Sequence, residues 1–134
     1  MHFLARFEAW AYDLLRFVSG TMFSVHGMQK LFGMLTTDPK PPVGSQGWVG
    51  GVIELSCGIF IALGLFTRAA AFIASGEMAV AFFQFHFHGA FAKWNWVPHV
   101  NGGELAVLYC FVFLYISTRG GGRYGIDSQF RHSR

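Results

Sequence analysis

Four long apolar stretches alternate with short polar breaks along the chain. Leu14 to Phe32 is the first. It gives way to Thr36-Thr37-Asp38-Pro39-Lys40-Pro41-Pro42, a run that cannot be helix interior. Trp48 to Phe66 is the second, and Thr67-Arg68 closes it with a very tight break. Ala69 to Phe87 is the third, and a polar and aromatic loop holding Lys93, Asn95, Pro98, His99 and Asn101-Gly102 follows it. Glu104 to Ser117 is the fourth and shortest, ended by Gly120-Gly121-Gly122. Each stretch but the last approaches the roughly 17–25 residues that a membrane-spanning helix uses. The fourth needs Gly102-Gly103 or Thr118 to complete a crossing, or a thinned bilayer.

This pattern predicts an all-α protein, an integral membrane four-helix bundle with a short amphipathic N-terminal helix. Residues 1–13 are expected to lie in the interface, because Phe3, Phe7, Trp10 and Leu14 fall on one helical face with Arg6, Glu8 and Asp13 off it. Residues 14–118 form the bundle, with spans near 14–33, 48–66, 69–88 and 102–118, and residues 119–134 form a polar cytoplasmic tail. A soluble four-helix bundle would show polar outer faces, yet before His86 the third stretch offers only Ser75, Glu77 and Gln84.

Composition strengthens the membrane reading. The chain has 134 residues, 53% hydrophobic and 13% charged, with 16 phenylalanines. Soluble domains average about 25% charged residues, so too few charges remain for a solvated shell. The length leaves no room for a separate soluble catalytic domain. A net charge of +3 comes without a run of Lys and Arg, so no nucleic-acid partner is indicated. A cleaved signal peptide fits the N-terminus poorly, since Glu8 and Asp13 precede the first apolar stretch and no clean small-residue cleavage site follows it. With four spans, Arg6, Arg16, Arg68, Arg119, Arg123, Arg131 and Arg134 fall on one side and Lys30, Lys40 and Lys93 on the other. That asymmetry predicts a multi-pass protein with both termini in the cytoplasm, and Trp48, Trp94 and Trp96 at the outer edge.

Ionisable groups inside a membrane are costly, so each is a site hypothesis. On the second helix Gly47, Gly51, Glu54, Gly58 and Ala62 step by three and four. On the third so do Ala70, Ala74, Glu77, Ala81, Gln84 and His88. Arg16, Gly20, Phe23, Gly27 and Lys30 form a similar stripe on the first, with His26 one position off. Small-residue stripes let helix backbones approach closely in lipid, so Glu54 and Glu77 are expected to face the bundle interior. At about 1.5 Å per residue the polar groups gather in its outer half. Arg16 is the exception, near Asp13 on the cytoplasmic side.

Two readings of these groups stand open. Lys30, Glu54 and Glu104 can neutralise one another and hold the helices in register. Alternatively they line a cofactor or substrate pocket open to the outside. His26, Glu54, Glu77, His86, His88 and Glu104 are ligand-type residues for a transition metal or haem site, though no HExxH or paired ExxH spacing is present. Cys57 and Cys110 lie near the centres of their helices. They can pair, act as a redox couple, or serve as ordinary small apolar residues.

Arg16-Phe17-Val18-Ser19-Gly20 followed by His26-Gly27-Met28-Gln29-Lys30-Leu31-Phe32-Gly33 resembles the first helix of the DoxX family. Glu54 with Gly58, then Leu63-Gly64-Leu65-Phe66-Thr67-Arg68, is similar to that family's second helix and turn, and Asn101-Gly102-Gly103-Glu104-Leu105 to the start of its fourth. The resemblance runs from Leu14 to Asp127. It implies a small four-helix protein of the bacterial inner membrane, similar to a quinone-reducing thiosulfate oxidoreductase subunit or to partners in membrane redox and thiol-stress complexes. On that basis His26 and Lys30 are expected to bind or protonate a quinone oxygen, with Glu54 and Glu104 setting their charge. Arg16, Gln29, Glu77 and Gln84 are expected around the same cofactor. A non-catalytic assembly or stabilising subunit is the alternative, and a metal- or haem-binding protein the third option. The lipid bilayer, membrane redox subunits and further copies of the chain are the expected partners.

Overall fold

A computed structural model describes residues 2–87 and 94–132, with the side chains of His2, Arg131 and His132 left aside. His88, Lys93 and Arg134 therefore lie outside the described residues. Among the described residues every regular element is helical. α1 is His2–Ala5, α2 Glu8–Phe32, α3 Gln46–Leu63, α4 Thr67–Ala81, α5 Pro98–Asn101, α6 Glu104–Arg119 and α7 Ile126–His132, with a π-helical turn at Phe82–His86 continuing α4.

The helix ends follow from local chemistry. Glu8 in the first turn and Lys30 in the last complement the helix dipole of α2. Gly33 ends that helix in the left-handed conformation (φ 68°) and donates its N–H to the Gln29 carbonyl. Ser45 caps α3, its Oγ accepting from Trp48 N at 3.3 Å. Gly64 (φ 71°) closes α3, and within three residues the chain has turned into α4. Residues 8–13 are part of α2, so the amphipathic stretch expected as a separate segment is continuous with the first long helix; only His2–Ala5 stands apart.

The four long helices form a closed bundle in which α2 packs on α3, α3 on α4 and α4 on α6. Phe23 of α2 completes the ring against α6, its centroid 4.7 Å from Phe113 and 5.5 Å from Tyr109. Phe23, Ile61, Ala71, Ala74, Phe113 and Ile116 are buried at its centre.

Glycine sets how closely α2 and α3 approach. A Cβ on Gly20 would stand 2.6 Å from Ala62 N and 2.8 Å from the Gly58 carbonyl oxygen. A Cβ on Gly58 would stand 2.5 Å from Ser24 N and 2.7 Å from the Gly20 carbonyl oxygen. Gly27 meets Gly51 and Leu55 in the same way one heptad on. The two helices touch backbone to backbone, which only residues lacking a side chain permit.

The outer surface is unusually apolar, and a few charged groups lie inside. Phe72 (67% exposed), Leu108 (66%) and Phe111 (65%) point outward, while Glu54 (3%) and Arg16 (4%) are buried. One described helix, Gln46–Leu63, is both long and apolar enough to cross a membrane by itself. α2 is longer but carries Glu8, Asp13, Arg16 and Lys30, and α4 and α6 have 15 and 16 residues. At about 1.5 Å per residue these last two fall short of the roughly 30 Å hydrocarbon layer.

Candidate functional site

One end of the bundle encloses a cavity of about 680 Å³. All four long helices contribute, each near the same end: α2 through Phe23, His26 and Lys30, α3 through Gly50 and Glu54, α4 through Glu77 and Met78, and α6 through Ala106 and Tyr109. His86 of the π-helical turn also lines it. The small residues Gly47 and Gly50 on α3 line the cavity, and at Gly50 the Glu77 and Lys30 side chains approach the backbone.

A single ion pair anchors the polar wall. Lys30 Nζ donates to Glu54 Oε1 at 2.7 Å, with the glutamate side chain only 4% exposed. Glu77 lies close by, since its Oε1 would be 3.2 Å from a Cβ on Gly50 and Lys30 Nζ 3.9 Å from the same point. Glu54 Oε2, Glu77 Oε2 and the Tyr109 hydroxyl are buried without a hydrogen-bond partner. Unpaired buried oxygens are costly, typically ~1–3 kcal/mol each, and three of them line one cavity. His26 meets Tyr109 edge to face at 6.2 Å. His86 Nδ1 is 3.3 Å from the Asn101 carbonyl oxygen, which only accepts, so that nitrogen carries the hydrogen.

The structure thus brings together His26, Lys30, Glu54, Glu77 and His86 and leaves Arg16, Gln29, Gln84 and Glu104 outside the cavity. Glu104 stands exposed at the start of α6 and pairs with His99 Nδ1 at 3.1 Å, so it does not join Lys30 and Glu54 in a common network. The turn through Gly102 (φ 74°) leaves it pointing outward, one residue before the cavity-lining Leu105. Gln29 Nε2 donates to the Leu35 carbonyl, on the loop side of α2. Gln84 accepts from Gln46 Nε2 at the rim.

Arg16 lies at the opposite end and caps helices. Its Nη1 donates to the Ile61 and Ala62 carbonyls at 2.5 and 2.7 Å, at the C-terminus of α3, and its Nη2 is 3.6 Å from Asp13 Oδ1. Asp13 Oδ2 in turn accepts from the backbone N–H groups of Arg123 and Tyr124. Arg68 donates to the Ser117 and Thr118 carbonyls that end α6. Asp127 accepts from Phe66 N and Thr67 N at 2.8 and 2.9 Å, capping α4 from the tail. Burial opposes its charge, but these N–H groups, the Thr67 hydroxyl and the Arg16 guanidinium outweigh it. The carboxyl is held below the ordinary carboxylate range.

Among the described residues no three of His, Cys, Asp and Glu lie close enough to hold a metal ion. The expected ligand set is divided: Glu104 is outside the cavity, and His88 lies outside the described residues. Cys57 and Cys110 are both free thiols. Cys110 Sγ is 3.6 Å from Ser75 Oγ, whose hydroxyl donates to the Cys110 carbonyl.

Tyr109 is a site residue that polarity alone does not reveal. Its signal is positional. Ala106, Tyr109, Phe113 and Ile116 step by three and four along α6, and all four are buried. A tyrosine in that interior row carries a hydroxyl that needs a partner.

An all-helical bundle with an apolar exterior and a largely apolar cavity holding a few polar groups between its helices is the class that fold and site define. The chain belongs to the DoxX family, whose model matches residues 11–87. It is also 41% identical over 138 residues to an uncharacterized protein of Haemophilus influenzae, covering 97% of this chain and 98% of that one. No solved structure matches.

Proposed function

We propose that the chain is a multi-pass inner-membrane protein, a DoxX-like subunit of a redox or respiratory-type complex, and that the cavity holds a quinone. The observation that carries this reading is the cavity itself. A largely apolar chamber of about 680 Å³ is bordered by one part-buried ion pair, and three buried oxygens without partners lie in its wall. An apolar lining with a few polar groups suits a small-molecule site. The apolar exterior supports the membrane setting, with α4 and α6 crossing through their flanking turns or a thinned bilayer. The arginines beside Asp13 and Asp127 belong on the cytoplasmic side and the cavity on the outer one.

The residues present fit such a group. Lys30 and His26 offer donors to a ring oxygen, the Tyr109 hydroxyl both donates and accepts, and Phe23 and Phe85 give apolar walls. A quinone, when bound, supplies two-electron, two-proton redox chemistry. Lys30 pairs with Glu54 beside the site, and His26 offers an imidazole that can pass a proton. Among the described residues no cluster of three ligand-type side chains supports the metal option.

A non-catalytic assembly role is the second reading. The observation that favours it is that Lys30 and Glu54 also tie α2 to α3 above the glycine contacts.

The two readings separate by experiment. Protein purified from its native membrane is tested for extractable quinone, and His26→Ala and Glu54→Gln are assayed for membrane redox activity and abundance. The quinone reading expects extractable quinone and activity lost at unchanged abundance. A quinone-free preparation, with variants that lower abundance alone, supports the assembly role.

A further inference from the structure

Three of the four seams of the bundle are shut beside the cavity. α2 meets α3 through the glycine backbones at Gly20, Gly27 and Gly58. α4 is tied to α6 where the Ser75 hydroxyl donates to the Cys110 carbonyl. Between α2 and α6, the rings of Phe23 and His26 both pack on that of Tyr109. The seam between α3 and α4 is different. A tight turn through Gly64 joins these helices at the far end, but at the cavity end long side chains span the gap. Glu77 reaches toward Gly50, and Gln46 Nε2 donates to Gln84 Oε1 at the rim. Gln46, Val49 and Ile53 step by three and four along α3, and Ile73, Glu77 and Val80 by four and three along α4, so each set shares one helix face. All six line the cavity. Yet Val49, Ile73 and Val80 are half-exposed. By helical phase Ile73 and Val80 fall between the outward Phe72 and Phe83 and the buried Ala70 and Ala74. The cavity therefore opens through the side of the bundle, as a slot with aliphatic walls.

A slot walled by valine and isoleucine, on a helix face that meets lipid, suits a hydrocarbon chain and not a water-filled entrance. Resting on the membrane and quinone readings above, we propose that the ligand enters sideways from the bilayer, with its ring in the cavity and its apolar tail in the slot between Val49 of α3 and Ile73 and Val80 of α4. The substrate class is then a long-tailed, lipid-soluble quinone. Lipid is as apolar as the slot, so the tail adds little affinity. What the slot determines is the direction from which the ring arrives and the room left for the tail. The bond between Gln46 and Gln84 bridges α3 and α4 at the rim, so the ring passes on the membrane side of it. Val49, Ile73 and Val80 set the width of the slot, and a larger side chain at any of them closes it to a tail without entering the polar part of the cavity.

A benzoquinone with a ten-carbon tail and a photoreactive diazirine on the fourth carbon tests this on the unaltered chain in lipid nanodiscs. The label that an excess of the tailless quinone suppresses is expected within residues 46–53 and 73–84, at least fivefold above that on α2 and α6 together. Suppressible label on α2 or α6 instead, or none while both quinones still bind saturably, overturns the inference and leaves the quinone site standing. Saturable binding of neither compound overturns both. Tryptophan in the slot gives a second readout, with concentrations expressed per lipid so that partitioning cancels. Val49→Trp and Val80→Trp are expected to weaken the tailed quinone at least tenfold and the tailless one less than twofold. Phe72→Trp, on the outward face of α4, is expected to change neither. Tailed binding that is as tight in both slot variants as in the unaltered chain overturns the inference. Since the labelling needs no variant, it decides even where the tryptophan variants do not fold.

Discussion

Lys30 Nζ and Glu54 Oε1, 24 residues apart in sequence, meet at 2.7 Å across the interface of α2 and α3. The glutamate is almost fully buried, while the lysine side chain is 38% exposed. The pair marks where the closest helix contact of the molecule ends and the cavity begins.

Removing one partner should hurt more than removing both. Lys30→Met leaves Glu54 buried and uncompensated; fully buried pairs lose ~3–5 kcal/mol in this way, and the loss here should be smaller because the Lys30 side chain is 38% exposed. Lys30→Met with Glu54→Gln together should recover more than half of that loss. Thermal unfolding of both variants in detergent measures it, and a double variant less stable than Lys30→Met contradicts the pairing.

Glycines in the α2–α3 contact should differ sharply from a glycine outside it. Gly58→Ala forces a Cβ against the backbone of Ser24 and Gly20, and overpacking of this kind costs ~1–3 kcal/mol or more. A Cβ on Gly76 of α4 meets nothing within 4 Å, so Gly76→Ala should be neutral or stabilising by up to ~1 kcal/mol. The ranking of melting temperatures checks both at once.

Asp127 gives the tail an acid-labile anchor. Its folded carboxyl ionises more readily than the ordinary aspartate value of about 3.9. Its contribution is therefore fully present above about pH 4–5 and is lost as pH falls through the depressed folded value. Asp127→Asn should lower the melting temperature at pH 7, by an amount equivalent to ~1 kcal/mol for a lost helix cap. The gap between the two proteins should close below about pH 4. A gap that widens in acid contradicts this role.

Orientation has a simple check. Lys40 lies in the exposed loop between α2 and α3, at the cavity end. A cysteine introduced there should react with an impermeant thiol reagent in intact spheroplasts, above the background of the native protein. Reaction only after lysis reverses the proposed topology.

Much of this arrangement was legible in the sequence, for reasons that differ by element. The stripes of small residues at helical spacing anticipated the contacts of Gly20, Gly27, Gly51 and Gly58, because a helix fixes which residues share a face. The same periodicity turned Glu54 inward. Glu104 was harder to read. The turn at Gly102 and Gly103 sets its direction, and apolar periodicity does not reach into a turn. Arg16 illustrates the opposite difficulty. A buried arginine attracts a functional reading, yet its partners are backbone carbonyls of Ile61 and Ala62, which any sequence supplies. Asp127 lies 60 residues from Thr67, and nothing local in the tail announces that it caps α4.

Equilibrium titration of the full chain in lipid nanodiscs with a short-tailed benzoquinone tests the central claim most directly. The account predicts saturable binding at one site per bundle, beyond that of protein-free discs, and weakened at least tenfold by Tyr109→Leu in a protein that still folds. Uptake that only tracks lipid content and is indifferent to Tyr109 contradicts it.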